Sequence, residues 1–366
     1  MEKTHMIILI VALSSSFVLF VILFLICVCR RKVPAGNESW DKEANPEFKE
    51  IGVEEMDMKG DYIRFEGGED LTCFDILDAP GEVIGKSSYG TLYRANLLSD
   101  LVLLLRFLRP ACTIEKVQDL MHVVQLLGSV RHPNLVPLCG FYSGSRGEKL
   151  MVHPFYRRGN LAQFIRDEND GSHKWEIIYR ISMGIVKGLD YLHTSAQKPI
   201  IHGNLKSKNI FLGRNHQPFV SDFGIHLLLN PAASQEMLED ANVEGYKAPE
   251  LTKTKDSSTA TDIYSLGVIL LELITGKEPI SGKANPNQDL YLPTLIRNAI
   301  LEHRMSALYH HDVLRDDNGG SGSSCVSEDI VIKFVKLALA CCSPSPSHRP
   351  DIKQICKKLE EIGRKS

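Results

Sequence analysis

The chain has 366 residues, of which 43% are hydrophobic and 24% are charged. This ordinary globular composition excludes a chain that is disordered throughout or collagen-like, and the length allows one large domain or two smaller ones with tails. The net charge of −3 supplies no overall basic field, so nucleic acid is not an expected partner.

Charge is distributed unevenly along the chain. Residues 1–32 carry a net +3, and residues 33–70, with twelve acidic against four basic residues, carry −8. Residues 71–366 are then nearly neutral at +2. The sequence therefore divides into an N-terminal segment, an acidic segment and a body.

The N-terminal segment contains 24 consecutive uncharged residues, 6–29, rich in Ile, Leu, Val and Phe. As a helix it would span about 36 Å, enough to cross a hydrocarbon core of about 30 Å. Arg30-Arg31-Lys32 follows directly, so the positive-inside rule predicts residues 1–5 outside the cell and the body in the cytosol. A cleaved signal peptide is the alternative, but its apolar core would measure about 7–15 residues and end in small residues. The pattern favours a single-pass protein of the plasma membrane, with the lipid bilayer as one partner.

Residues 30–71 show no sustained apolar periodicity and contain several glycines, prolines and acids. We expect them to form an acidic, flexible juxtamembrane linker. Seven of the nine cysteines lie in the body without zinc-ligand spacing, which predicts small, reduced core residues in a cytosolic domain. Cys27 and Cys29, at the inner membrane edge, are either plain helix residues or palmitoylation sites.

The body begins with strand patterns and continues with helical ones. Residues 82–94 alternate around two glycines, and 101–108 are strongly apolar, which predicts strands. Helical spacing follows at 114–128, 160–167, 175–193, 262–275 and 351–362. A small β-rich part followed by a large helical part indicates an α+β architecture with two lobes. The glycine- and serine-rich residues 319–324 are expected to form a surface loop.

Seven motifs of the body, taken together, resemble those of the protein kinase family, most closely the plant receptor-like kinases of the leucine-rich-repeat type. They occur in the family's order over about 290 residues. In this sequence they are Gly85-Lys-Ser-Ser-Tyr-Gly90, Arg131-His-Pro-Asn-Leu-Val136, His202-Gly-Asn-Leu-Lys-Ser-Lys-Asn209, Asp222-Phe-Gly224, Ala248-Pro-Glu250, Asp262-Ile-Tyr-Ser-Leu-Gly267 and His348-Arg-Pro350.

The resemblance implies a bilobal protein-kinase fold preceded by one transmembrane helix. The kinase-like domain would cover residues 72–362, with a β-rich N-lobe at 72–152 and a helical C-lobe at 157–362. With only residues 1–5 outside the cell, the chain would lack the ectodomain of such receptors. Because a fold does not settle function, each catalytic part of the family has to be checked in this sequence.

The resemblance places the nucleotide-binding residues at Gly85, Ser87, Gly90 and His153, together with one position on the strand around 102–108. The glycine loop is weakened, since Ser87 stands where the family has its middle glycine. His153 occupies the position beside the adenine pocket. We interpret all of these as vestiges of a nucleotide site.

The strand that carries the family's alanine and lysine is altered more strongly. Two registers are open: one places Leu104 at the alanine and Arg106 at the lysine, and the other places Leu103 and Leu105 there. Either way a leucine replaces the alanine, and overfilling a packed pocket typically costs about 1–3 kcal/mol. The helix that should supply a glutamate has Val123 at the matching position. We therefore expect an apolar strand that fills the purine space, with no cation–carboxylate pair beneath it.

The catalytic loop lacks its general base in this comparison. Asn204 stands where the family has the aspartate that accepts the substrate's proton, and an amide cannot do so. Lys206 is retained at the phosphate-side position, and Asn209 and Asp222 match the two magnesium positions. Oxygen ligands of this type suit Mg²⁺, but the same groups can serve to hold the loop backbone.

Three further residues match structural supports of the family. Glu250 and Arg349 correspond to an ion pair that braces the large lobe, and Asp262 to the residue that caps the backbone amides of the catalytic loop. Their presence predicts that the lobe is folded.

These observations favour a membrane-anchored receptor-like pseudokinase that serves as a non-catalytic signalling scaffold or allosteric partner of other receptors or kinases. No cofactor would be required, and Mg-ATP would bind weakly if at all. The alternative is a weakly active, ATP-binding Ser/Thr protein kinase that uses Lys206, Asn209 and Asp222.

Overall fold

The N-lobe is built on a six-stranded antiparallel sheet whose strand order is β1-β5-β6-β4-β3-β2. The computed structural model describes residues 60–98, 101–167, 171–195, 198–254, 256–280, 291–314 and 326–364. The strands are β1 (Gly60–Arg64), β2 (Gly81–Ser87), β3 (Gly90–Asn96), β4 (Val102–Leu108), β5 (Gly140–Gly144) and β6 (Lys149–Pro154). Two helices accompany the sheet, α1 (Cys73–Asp78) and α2 (Val117–Gly128).

Strand β1 corrects the expected linker boundary at residue 71. It pairs with β5 from Gly60 to Arg64, and Tyr62 and Ile63 are partly buried against the core. The described fold therefore begins twelve residues before the predicted start at 72. This strand was missed because five residues with charges at Asp61 and Arg64 carry too short a pattern to stand out from the acidic segment.

The C-lobe contains the other helices and a short hairpin of β7 (Ile210–Leu212) and β8 (Pro218–Val220). The helices are α3 (Leu161–Ile165), α4 (Trp175–Thr194), α5 (Pro231–Val243), α6 (Thr259–Thr275), α7 (Leu292–Leu301), α8 (Glu328–Cys341) and α9 (Ile352–Gly363). Fourteen of the 17 residues of α6 are buried, as expected of a helix at the centre of a lobe. The two-lobed α+β architecture predicted from the sequence is confirmed.

Helix α6 is fixed at both ends by its own sequence. Ser258 caps the N-terminus, where its side chain accepts a hydrogen bond from the backbone N–H of Thr261. Gly276 ends the helix with a left-handed φ of 68°, a conformation that glycine adopts without steric cost. These caps set where Asp262, in the first turn, meets the catalytic loop.

Helix α5 lies within the segment that follows Asp222-Phe-Gly224 and was not expected. Its start carries a recognisable signal, because Asn230 accepts a hydrogen bond from the N–H of Ala233 at 2.9 Å and Pro231 occupies the first helical position. Ala233, Met237 and Leu238 are buried. Asp240 of this helix accepts a hydrogen bond from Ser88, between β2 and β3 of the N-lobe.

Several sequence predictions lie outside the described residues: the outside segment 1–5, the membrane anchor at 6–29 with Cys27 and Cys29, the linker as far as residue 59, and the surface loop at 319–324. Among the residues that the structure describes, no helix is long and apolar enough to cross a membrane.

Candidate functional site

The register of β4 decides which of its side chains face the cleft. Leu104 pairs with His153 and Arg106 with Met151 across β6. Leu103 and Leu105 belong to the cluster on the opposite face, under α1. The structure thus places Leu104 and Arg106 toward the cleft, at the family's alanine and lysine positions.

The space beside Leu104 is filled by side chains of both lobes. Leu104, Val136 and Phe211 form one buried cluster, and Leu92 and Tyr156 pack against it. Phe211 comes from β7 of the C-lobe and stacks on Tyr156, with ring centroids 5.7 Å apart. This cluster occupies the region where the family resemblance puts a purine base.

Arg106 forms a buried ion pair with Asp222, which corrects the expectation that no cation–carboxylate pair lies beneath the sheet. Its Nη2 donates to Oδ2 of Asp222 at 2.5 Å, and the two side chains are 7% and 5% exposed. Burial opposes the charged form of Arg106, but attraction to Asp222 contributes to a pKa that is raised overall. The preference for a purely apolar strand was wrong because the partner comes from a distant loop, 116 residues along the chain.

Asp222 has a left-handed backbone, with φ of 63°. A non-glycine residue held there costs of order 1–3 kcal/mol, so the surrounding structure must hold it in place. The charge-assisted bond to Arg106 does so from the N-lobe side. The predicted magnesium ligand is therefore oriented toward a guanidinium.

The glycine loop is folded down into the cleft through Tyr89. This side chain is 3% exposed, its ring lies 5.9 Å from the guanidinium carbon of Arg106, and its hydroxyl accepts from Nδ2 of Asn204 at 3.5 Å. Burial raises the pKa of Tyr89 to about 12. The aromatic ring thus covers the ion pair from above.

Of the predicted loop residues, Ser87 and Gly90 serve the turn itself, while Gly85 lies within β2 and pairs with Leu92. Ser87 Oγ donates to the carbonyl of Gly90 at 3.1 Å. A Cβ on Gly90 would lie 2.3 Å from the carbonyl oxygen of Phe107, so the close approach of β3 and β4 requires glycine there. Ser88 Oγ donates to Oδ2 of Asp240 on α5 at 2.7 Å, which joins the loop to the C-lobe.

Asn204 and Asn209 are buried side by side in the catalytic loop. Asn209 Nδ2 donates to the backbone carbonyl of Asn204 at 2.9 Å, so its amide holds the loop backbone. Within the described chain, Oδ1 of Asn204 is buried without a hydrogen-bond partner. A neighbouring cavity, lined in part by Gly203 and Leu205, has a volume of about 10 Å³, which is room for about one water molecule.

Lys206 is engaged by an acid that the sequence did not indicate. Its Nζ donates to Oε2 of Glu244 at 2.6 Å, and Lys208 donates to Oε1 of the same carboxylate at 3.0 Å. Burial opposes the charged form of Glu244, but the two lysines lower its pKa. The phosphate-side lysine is thus paired with the end of the segment that contains α5.

Asp262, Glu250 and Arg349 each make several contacts. Asp262 accepts from the backbone N–H groups of His202 at 2.8 Å and Gly203 at 2.9 Å. Arg349 donates to both carboxylate oxygens of Glu250, at 2.6 and 2.7 Å. The structure therefore brings these supports together in an otherwise intact C-lobe.

No acid of α2 reaches the cleft among the described residues. Val123 is partly buried against the main core, while Glu115 and Asp119 are exposed. The role that a glutamate of this helix would play is filled by Asp222 instead.

The residues that the family resemblance assigns to Mg-ATP are engaged within the protein. The purine region holds Leu104 and Phe211, and the carboxylate that would bind Mg²⁺ already pairs with Arg106. Sequence reasoning missed Tyr89, Glu244 and Asp240, which complete the closure. A sequence signal existed only for the helix that carries Asp240, because Asn230-Pro231 marks the start of α5.

His153 pairs with Leu104 of the buried cluster. Its burial predicts that the stability of the fold depends on pH. Burial lowers its pKa to about 4, and its Nδ1–H donates to the carbonyl of Pro137 at 2.9 Å. Since the unfolded chain has a pKa near 6.5, stability is full above that pH and decreases as pH falls toward 4. We expect His153 to account for about 2 kcal/mol of stability lost between pH 7 and 5.

The measurement is the urea unfolding free energy of the full chain at pH 7 and pH 5. His153→Phe should lose about 2 kcal/mol less on acidification than the parent chain, and the exposed control His348→Phe should match the parent. The buried His202 and His226 also have pKa values lowered by burial, but they are present in all three chains. An equal loss in His153→Phe would contradict the prediction.

Comparison with known proteins identifies relatives among plant receptor kinases. The chain is 35% identical over 356 residues to the putative kinase-like protein TMKL1 of Arabidopsis thaliana, covering 96% of this chain and 52% of that protein. It is 37% identical over 304 residues to the probable leucine-rich repeat receptor-like protein kinase IMK3 of the same plant, covering 83% and 37%. A probable inactive receptor kinase of that plant is 29% identical over 369 residues, covering 96% and 55%. The chain thus spans about half the length, or less, of these relatives.

Two solved structures share the fold. The kinase domain of maize SIRK1 (sucrose-induced receptor kinase 1), bound to AMP-PNP, matches with a TM-score of 0.72 and 29% identity, covering 83% of this chain and 100% of that one. The pseudokinase domain of BIR2, an immune regulator of the RLK/Pelle family, matches with a TM-score of 0.64 and 28% identity, covering 77% and 81%.

A family model described as protein tyrosine and serine/threonine kinase matches residues 79–359, which is most of the chain. The bilobal fold and the inactive receptor kinases among the relatives agree with this match. The chain therefore belongs to the protein kinase family and has plant receptor-like kinases as its homologues.

Proposed function

We propose that this chain is a membrane-anchored, receptor-like pseudokinase, a non-catalytic scaffold or allosteric partner of other receptors or kinases. The observation that carries the proposal is the buried pair of Arg106 and Asp222 beneath the cluster of Leu104 and Phe211. It removes both the metal ligand and the purine space from use.

The free-energy costs of binding favour exclusion of a nucleotide from the cleft. Mg²⁺ on Oδ2 of Asp222 would displace Arg106, and a buried ion pair that loses one partner costs about 3–5 kcal/mol unless Arg106 finds a phosphate. Making room beside Leu104 adds about 1–3 kcal/mol. Together these costs come to about 4–8 kcal/mol, against the roughly 8 kcal/mol that micromolar affinity represents, which favours weak binding.

The catalytic loop supports the same conclusion. Asn204 supplies no carboxylate to accept the substrate's proton, and loss of a general base alone reduces a rate about 10²–10⁴-fold. Lys206, which would act on the phosphate side, is paired with Glu244. A chain with these changes would retain the fold and its surfaces but would have little means of phosphoryl transfer.

The second candidate is a weakly active, ATP-binding Ser/Thr kinase. What favours it is that Lys206, Asn209 and Asp222 still stand at the family's positions, and that Arg106 is a long cation that could swing from Asp222 to a phosphate. The two candidates differ in whether Mg-ATP binds and whether Asp222 is needed.

Relatives guide the proposal for partners and location. Several are named inactive receptor kinases, and the BIR2 pseudokinase is described as an immune regulator. By analogy, we propose that this chain associates with receptor kinases at the plasma membrane. Residues 6–29 would be the anchor, with the kinase-like domain in the cytosol.

Nucleotide binding is tested by thermal unfolding of the full chain in detergent. Ligand at about 100 times its Kd stabilises a one-site binder by roughly 2.7 kcal/mol, and we expect no shift of the melting temperature with millimolar Mg-ATP beyond that with Mg²⁺ alone. Asp222→Asn, which keeps a hydrogen-bond acceptor for Arg106, is the matched variant. A shift in the parent chain that Asp222→Asn abolishes would favour the active-kinase alternative.

The scaffold role is tested by proximity labelling from the full chain in plant cells. We expect receptor kinases to be labelled equally by the parent chain and by Asp222→Asn, because the proposed association needs no nucleotide. A variant without residues 33–59 separates the fold from the acidic segment. Labelling that vanishes in this deletion would contradict a role for the kinase-like domain and favour an adaptor that binds through its acidic segment.

A further inference from the structure

A cluster of histidines and one aspartate lies in the C-lobe, away from the cleft. His310, His311 and Asp312 are consecutive in the chain, and the ring of His173 stacks on that of His310 with centroids 3.8 Å apart. The ring centroid of His311 lies 4.3 Å from that of His310. We propose that this cluster binds a divalent transition-metal ion of the Zn²⁺ class.

The spacing of the donor atoms carries the proposal. One potential ligand atom from each of His310, His311 and Asp312 lies within 4.8 Å of the others. Oδ1 of Asp312 is 3.3 Å from Nε2 of His311, and Oδ2 is 3.6 Å from Nδ1 of His310. Ligands about 2.0–2.1 Å from a tetrahedral Zn²⁺ stand about 3.3 Å apart, so small side-chain rotations bring the donors to bonding distance.

The fold holds the cluster near its final geometry. The backbone N–H of His310 donates to the carbonyl of Ile274, in the last turn of α6, at 2.8 Å. His173 lies just before α4 and packs under the C-cap of α6, where a Cβ on Gly276 would come within 2.7 Å of its Cε1. The segment that carries the three donors is thus held against the end of α6 by its own backbone and by the stacked ring of His173.

The chemistry of the donors selects the class of ion. Imidazole nitrogens with one carboxylate suit Zn²⁺, Co²⁺ or Ni²⁺, whereas Mg²⁺ and Ca²⁺ prefer oxygen ligands throughout. His311 is 76% exposed at its side chain, which gives an ion access from solvent. Water would complete the coordination of an ion held by these three side chains.

Binding requires two small changes. Nδ1 of His310 accepts a long hydrogen bond of 3.3 Å from the backbone N–H of Asp312, which coordination through that nitrogen would replace. The imidazoles must also be neutral to bind an ion. Both changes are modest beside the free energy of a transition-metal bond to several donors.

The experiment titrates Co²⁺, then Zn²⁺, into the full chain in detergent, carrying no histidine tag. We expect one Co²⁺ per chain, with the visible absorption of a low-symmetry, four- or five-coordinate ion, displaced by Zn²⁺. His311→Ala and Asp312→Asn should each weaken Zn²⁺ binding at least about tenfold, because even outer-shell partners of metal ligands contribute 10–100-fold. His348→Ala, which removes an exposed histidine elsewhere, should bind as the parent does.

Two results would contradict the proposed metal site. Binding that is unchanged in both His311→Ala and Asp312→Asn would place the ion elsewhere, for example on the cysteines, and overturn the proposal. So would a parent chain that takes up no Co²⁺, which would leave the cluster as an ion pair between histidine and aspartate. Since His311 is exposed, its variant should melt at the temperature of the metal-free parent, and Zn²⁺ should raise the melting temperature of the parent alone.

Discussion

The structure of the cleft depends on one buried contact, the ion pair between Arg106 and Asp222. A guanidinium that is 7% exposed at its side chain needs a carboxylate beside it, because an uncompensated buried charge is strongly destabilising. Asp222 meets that need from the C-lobe, so the two lobes are joined where a nucleotide's metal would stand. Tyr89 can then cover the pair, and Leu104 can pack on the C-lobe cluster that contains Phe211.

The C-lobe keeps the structural supports of a kinase, but its polar catalytic-loop residues bond to other groups of the protein. Asp262 still accepts from the amides of the catalytic loop, and Arg349 still pairs with Glu250. Yet Lys206 bonds Glu244, and Asn209 bonds its own loop backbone. Both side chains are thereby engaged by other groups of the protein. The proposed scaffold role requires only that the fold be maintained in this way.

The sequence was most informative where the signal is local or lies in the order of motifs. Helical spacing predicted α4 and α6 within a few residues, and seven motifs in register predicted the two lobes. It was least informative where a side chain meets a partner far along the chain. Nothing near Arg106 indicates Asp222, and nothing near Lys206 indicates Glu244. Strand β1 was missed because it is stabilised by pairing with β5 rather than by its own pattern.

The most direct test of this account is an experimental density map of the cleft, obtained from protein prepared in millimolar Mg-ATP. The account predicts Leu104 packed against the Phe211 cluster, Arg106 within hydrogen-bond distance of Asp222, and no purine between the lobes. Density for a purine beside Leu104, with Mg²⁺ on Asp222 and Arg106 turned toward phosphate, would contradict it.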